Sequence, residues 1–128
     1  MAGMKMEFLE SGSPDCPLIR FYEFKLSEAQ SLRRIVLQLA KGRTPSVQLH
    51  KEQGIEAISG CQLTLSRGEK DRGVLESRLL AFTWVLTGGG WLSVSGLIRP
   101  FSRAISSGYQ WLWDQGRIRI LISRDGRW

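Results

Sequence analysis

Three groups of residues in this chain have the types and spacing that chemistry needs. Gly88, Gly89 and Gly90 form one run between Thr87 and Trp91, at the junction of a strand-like and a helix-like segment. Glycines at such a junction let backbone N–H groups and the positive end of a helix come close to an anion. The run fits neither the GxGxxG nor the GxxxxGK phosphate pattern and no lysine follows it, so a plain strand-to-helix connection explains it equally well. His50 is the only histidine, and its imidazole is the one side chain here suited to moving a proton near neutral pH. Gly88, Gly89, Gly90 and His50 are therefore the candidate site for a small anionic ligand.

The third group is Arg99, Arg103, Arg117, Arg119, Arg124 and Arg127. Residues 77–128 carry 7 basic and 2 acidic side chains, against 11 and 10 in residues 1–76, so the net charge of +6 is concentrated toward the C-terminal end. Arginine presents a planar fork of donors that matches phosphate and carboxylate. A nucleic-acid partner held by these six arginines is the second functional reading, set against ordinary solvation of a basic surface.

Other chemistries are excluded or lack a signal. Cys16 and Cys61 lie far apart and neither belongs to a CxxC pair, which removes the zinc patterns built from clustered cysteine and histidine. Both thiols are expected to be small buried hydrophobes. No Ser, His and Asp grouping and no paired-acid motif stands out, so no catalytic residue, metal or cofactor is assigned and enzyme activity is left open. No stretch approaches the roughly 20 apolar residues of a spanning helix, and the first ten residues contain no signal-peptide core. The expectation is a cytoplasmic protein with no membrane partner.

The elements that would position these residues follow from periodicity. Residues 16–24 read as a strand, rich in aromatic and branched side chains. Ser27 with Gln30 reads as a capping box opening a helix, whose Leu32, Ile35, Val36 and Leu39 form one apolar stripe ending at Gly42. Cys61, Leu63 and Leu65 alternate with Gln62, Thr64 and Ser66, which predicts a strand apolar on one face. The charged run 67–73 reads as its hairpin connection to a second strand. There Leu80, Phe82, Trp84 and Leu86 share one face, while Leu79, Ala81 and Val85 lie on the other. Trp91, Val94, Ile98, Phe101 and Ile105 predict a second helix running toward Gly108, kinked or split at Pro100. Ile118, Ile120 and Ile122 alternate with Arg117 and Arg119 in a last strand.

The main elements then run βαββαβ, the order of a ferredoxin-like two-layer α+β sandwich, with residues 1–128 as one domain. Extra short strands at 5–10, 45–50 and 109–113 fall outside that minimal order. The two halves echo each other: Ala29, Leu32, Val36 and Leu39 have the same spacing as Trp91, Val94, Ile98 and Phe101. RNA-recognition domains share this order, but the strand at 78–86 lacks their basic-glycine opening and is aliphatic on both faces.

In a two-layer domain both helices cover one face of the sheet, leaving Leu80, Phe82, Trp84 and Leu86, or their alternates, in water. Exposed apolar surface of that size marks an interface or a ligand groove. The leading expectation is accordingly a ligand-binding or protein-interaction module that forms a homodimer sheet to sheet through these four residues. A small enzyme with a pocket beside Gly88 to Gly90 is the third reading.

Overall fold

Two helices organise the molecule. The computed structural model describes residues 3–104 and 108–128. Helix α1 spans Leu26–Ala40 and buries Ala29, Leu32, Val36 and Leu39. Helix α2 spans Gly88–Arg103 and buries Trp91, Val94, Ile98 and Phe101 at the same spacing. The equal spacing seen in sequence is thus a real correspondence between the two core-facing stripes. Ile105, the last member of the expected second stripe, lies outside the described residues. Gln30 Nε2 donates to the Ser102 carbonyl at 3.0 Å and Arg33 Nε to the Ser95 carbonyl at 3.3 Å, so the helices run antiparallel along a shared seam.

Local chemistry sets the helix ends and corrects two expectations. Helix α1 begins one residue before Ser27: Lys25 is its N-cap, and Glu28 Oε1 accepts the Lys25 backbone N–H at 2.7 Å. The acidic member of the capping arrangement is therefore Glu28 and not Gln30. Helix α2 absorbs the glycine run as its first turn, with the Thr87 hydroxyl accepting the Gly90 N–H at 3.1 Å. It passes through Pro100 as one helix and ends at Arg103, short of Gly108. Arg99 and Pro100 are exposed, so the backbone groups that proline leaves unpaired face solvent.

Nine strands are present among the described residues, in two sheets: β1 (Met4–Leu9), β2 (Leu18–Tyr22), β3 (Ser46–Gln48), β4 (Ile55–Ala57), β5 (Gln62–Arg67), β6 (Gly73–Arg78), β7 (Ala81–Leu86), β8 (Tyr109–Trp113) and β9 (Arg119–Ser123). The first sheet has the order β4-β1-β2-β9-β8 and the second β3-β5-β7-β6. The fold is mixed α and β with two helices and two sheets. It does not collect its strands into the one sheet that a ferredoxin-like order implies. The short strands expected at 5–10, 45–50 and 109–113 exist as β1, β3 and β8, and they are what makes a second sheet necessary.

A strand the sequence conceals completes the change. Residues 73–78 form β6, an antiparallel neighbour of β7, while β5 pairs with β7 in parallel. The charged run 67–73 consequently joins β5 to β6, which are not neighbours, and the hairpin turn lies instead at Leu79 and Leu80. Leu80 turns there in a left-handed conformation, φ 61°. Residues 75–79 are exposed, so β6 has no apolar alternation to betray it.

The two sheets repeat one plan. A hairpin (β1-β2), a helix (α1) and a second hairpin (β3, β5) are followed by a hairpin (β6-β7), a helix (α2) and another (β8-β9). In each half the second hairpin leaves its own sheet and joins the other. So β9 lies parallel to β2 with β8 beyond it, just as β5 lies parallel to β7 with β3 beyond it. Only β4, added at the edge of β1, breaks the correspondence. A single cluster of buried residues draws from both sheets and both helices, including Met4, Met6, Ile19, Phe21, Leu63, Phe82, Trp84 and Trp91. The sheets touch through Phe8 on Phe82, with ring centres 4.7 Å apart. Among the described residues no helix is long and apolar enough to cross a membrane.

Candidate functional site

The outer face of the second sheet presents the chemistry left uncommitted by folding. Alternation sends Leu63, Leu65, Phe82, Trp84 and Leu86 inward, each 2% exposed or less. Their neighbours point the other way. Strand register places Gln48 beside Thr64, Thr64 beside Thr83 and Thr83 beside Leu75, one row across four strands. Gln62 lies beside Ala81 in the next row. A groove of about 330 Å³ runs over this face, its polar lining Gln48, His50, Gln62, Thr64, Ser77, Arg78 and Thr83, with Ala81 and Phe82 between them. Ser77 Oγ donates to the Ala81 carbonyl at 3.2 Å. Among the described residues, the other six polar side chains of the lining form no hydrogen bond or ion pair.

His50 enters this groove because of its neighbour in sequence. Leu49 is fully buried and anchors a short 3-10 turn, Leu49–Lys51, that follows directly on β3. The imidazole Nδ1 is shielded from solvent and has no partner, an arrangement that costs free energy unless something occupies it. Among the described residues Arg78 is the only charged side chain lining the groove, and no carboxylate does. The field there favours an anion.

The first sheet shows how different the corresponding face can be. Its outer row, Glu7, Arg20, Leu121 and Trp111 in register, is closed over by the chain itself. Arg20 donates to Glu7 Oε1 at 2.8 Å and to the Gly126 carbonyl at 2.8 Å, with its guanidinium 3.9 Å from the Tyr22 ring centre. Tyr22 donates to Glu7 at 3.1 Å; burial, then the Glu7 carboxylate, pushes the phenol up from its ordinary value. Trp128 Nε1 donates to Asp15 Oδ2 at 2.9 Å. Leu18, Leu121 and Ser123 are consequently fully buried. Covering by residues 10–17 and 124–128 makes β9 apolar-buried on both faces, where the sequence pattern exposes one.

The glycine run is not part of the groove. It lies at the Arg67 and Leu86 ends of β5 and β7, whereas His50 lies at the Gln62 and Ala81 ends, about 16 Å of strand away. Its N-terminal helix position is filled from within: Asp71 Oδ1 accepts the Thr87 backbone N–H at 2.7 Å and the Thr87 hydroxyl at 2.9 Å. A methyl group on Gly90 would meet Asp71 Oδ1 at 2.7 Å, and one on Gly88 would meet the Arg67 guanidinium at 2.8 Å. Two of the glycines thus make room for side chains of the same chain, and a carboxylate already stands where a phosphate would bind. Arg67 Nη1 in turn donates to the Leu39 and Ala40 carbonyls, both at 2.8 Å, satisfying the negative end of α1.

The six arginines divide. Arg117 pairs with Glu76 at 3.0 Å and Arg119 with Asp15 at 3.3 Å. Arg124 donates to the Phe24 carbonyl at 2.8 Å, and Arg127 is exposed beside the closing turn. Arg99 and Arg103 lie apart from these, exposed on α2. They do not form one face.

The surface expected to join two copies is also placed differently. Phe82, Trp84 and Leu86 are 2%, 1% and 1% exposed within the single chain, and Leu80 sits in the turn before them. Buried in the single chain, Phe82, Trp84 and Leu86 leave no apolar patch, while of their alternates Leu79 is 86% exposed. Sequence reading missed Gln48, Gln62, Thr64, Ser77, Arg78 and Thr83 as a group. The polar alternates of Cys61, Leu63 and Leu65 were the available signal, but they read as a solvated face because their neighbours across the sheet were unknown. No protein-family model, curated protein or solved structure matches this chain.

Proposed function

We propose that this chain is a ligand-binding module that takes a small organic anion, a carboxylate or phosphate ester, on the outer face of the second sheet. The supporting observation is the pair of corresponding faces. One is sealed by the chain's own loop and C-terminal residues. The other carries a 330 Å³ groove whose amide, threonine hydroxyl, imidazole and guanidinium groups form no hydrogen bond or ion pair among the described residues. In this reading Arg78 meets the anionic group, the glutamine amides hydrogen-bond the remaining oxygens beside the His50 ring, and Thr64 and Thr83 form the floor. Sites of this kind combine a shaped surface with a few convergent polar groups.

The test is an amide-resolved NMR titration with citrate, nucleoside monophosphates and sugar phosphates. Shifts confined to Gln48, His50, Gln62, Thr64 and Thr83, lost in Arg78→Ala, are expected for at least one of them. Shifts that ignore the groove, or that survive Arg78→Ala unchanged, would sink the proposal.

A further inference from the structure

The seam between the two helices carries a second cationic surface, independent of the groove. Arg33 and Arg34 project from α1 beside Gln30 and Leu37, and with Ser102 of α2 they line a depression of about 270 Å³. Arg33 Nε reaches the Ser95 carbonyl and Gln30 the Ser102 carbonyl. Arg99 lies between Ser95 and Ser102 on the same flank of α2, at steps of four and three residues, and Arg103 is one further turn on. Four arginines therefore gather along one antiparallel seam.

Nothing nearby neutralises them. Helix α2 contains no acidic residue, and the single acid of α1 is Glu28. Glu28 lies on the opposite flank with Ser31, Leu32, Ile35 and Glu52, and is occupied with the Lys25 N–H. Among the described residues Arg33, Arg34, Arg99 and Arg103 form no ion pair. Arg117 and Arg119, by contrast, are paired.

We infer that this seam binds the phosphate backbone of duplex nucleic acid without reading sequence. Planar arginine forks suit phosphate oxygens, and backbone contacts carry affinity without base specificity. The aromatic side chains of α2 are turned inward, Trp91 at 0% and Phe101 at 4% exposure, so the seam has no platform on which unpaired bases could stack. Single-strand binders depend on such platforms. A protein or membrane partner would want clustered apolar anchors in the patch; the depression is lined by arginine, glutamine and serine around the half-buried Leu37, and Leu92 stands singly exposed two turns before Arg99.

The test is fluorescence anisotropy with a duplex DNA of about 20 base pairs and mixed sequence, titrated across salt. Four phosphate contacts predict a slope of log affinity on log salt near −3.6, which is a fall of about 150-fold between roughly 50 and 200 mM. The double variant Arg34→Ala/Arg99→Ala, both positions exposed, should keep its circular dichroism spectrum and halve the slope, so that the same salt step costs about 12-fold. Arg117→Ala/Arg127→Ala and Arg78→Ala should bind as the wild type does, which separates this surface from the groove. A slope shallower than about −2 for the wild type overturns the inference. So does an unchanged slope in the helix variant, loss of binding in the C-terminal variant, or seam-dependent binding to anionic vesicles or polyglutamate with none to DNA.

Discussion

Truncating Trp84 separates the two places its indole could have been: inside one chain or between two. Trp84 is 1% exposed and packs edge-on to Trp91, with ring centres 4.8 Å apart. Trp→Ala in a core costs about 3–5 kcal/mol through lost transfer energy and the cavity left behind. The Trp84 Nε1–H is buried without an acceptor, a penalty of about 1–3 kcal/mol that truncation removes. The balance is a loss of about 2 kcal/mol for Trp84→Ala. Trp84→Phe keeps most of the ring and discards the unpaired donor, so it should fall within about 1 kcal/mol of the wild type. Urea unfolding followed by far-UV circular dichroism measures both. With a slope of about 1.5 kcal/mol/M, the alanine variant should unfold about 1.3 M earlier. Repeating the measurement at concentrations roughly twentyfold apart discriminates further, because a sheet-to-sheet dimer would gain about 1.8 kcal/mol over that range by mass action. The fold described here predicts no concentration dependence. A wild-type midpoint that climbs with concentration, together with an alanine variant that loses under about 1 kcal/mol and no longer climbs, would refute the placement of Trp84 in the intrachain core.

Two further predictions probe the interior chemistry. Asp71→Ala removes the acceptor for two donors of Thr87 at the start of α2 and should cost about 1–2 kcal/mol in the same assay, with Asp71→Asn losing roughly half as much because it keeps an oxygen there; equal stability of Asp71→Ala and the wild type would show that the helix end is satisfied otherwise. Cys61 is fully buried, and burial, reinforced by the Glu7 charge, pushes its thiol up to about 12. The raised value favours the protonated thiol in the fold, so the stability it contributes is intact below the ordinary thiol value and is lost as pH rises through about 12. At pH 8 only about one Cys61 in ten thousand is thiolate, so iodoacetamide under native conditions should label the half-buried Cys16 and leave Cys61 untouched until urea is added. Rapid native labelling of Cys61 is the outcome that contradicts its burial.

What was legible in the sequence is what depends on short-range periodicity. The stripes of α1 and α2 are visible because a helix shows its buried face every three or four residues, and all eight positions of the paired stripes are buried. The inward faces of β5 and β7 are visible for the same reason at period two. Pairing is a different kind of information. That β5 joins β7 in parallel, and β9 joins β2, rests on contacts between residues far apart in the chain, Gln62 with Ala81 and Ile19 with Ile120, which no local pattern encodes. Edge strand β6 shows almost no alternation because Leu75, Ser77 and Arg78 are exposed alike. The glycine run carried a correct cue to a helix start and a wrong one to an anion, since its cavity-making purpose depends on Asp71 and Arg67 approaching from another loop and strand. His50 reached a plausible site for a reason unrelated to the glycines.

Exchange of hairpins between the halves explains how the two outer faces come to differ. Each sheet is built from a hairpin of one half and a hairpin of the other, so the two outer faces are equivalent in topology and free to differ in side chains. In the first sheet the central outward pair is Arg20 beside Leu121; in the second the matching pair is Thr83 beside Thr64. A charged and apolar pair buried under residues 124–128 demands fixed partners, and Glu7 and the Gly126 carbonyl supply them. Two threonines demand little and tolerate an open, wet surface. The apolar material needed to stabilise the chain is then spent inward on both sheets, while the polar surplus collects on the second. There, among the described residues, the His50 Nδ1 and the Arg78 guanidinium stay without partners, where the counterpart face is sealed.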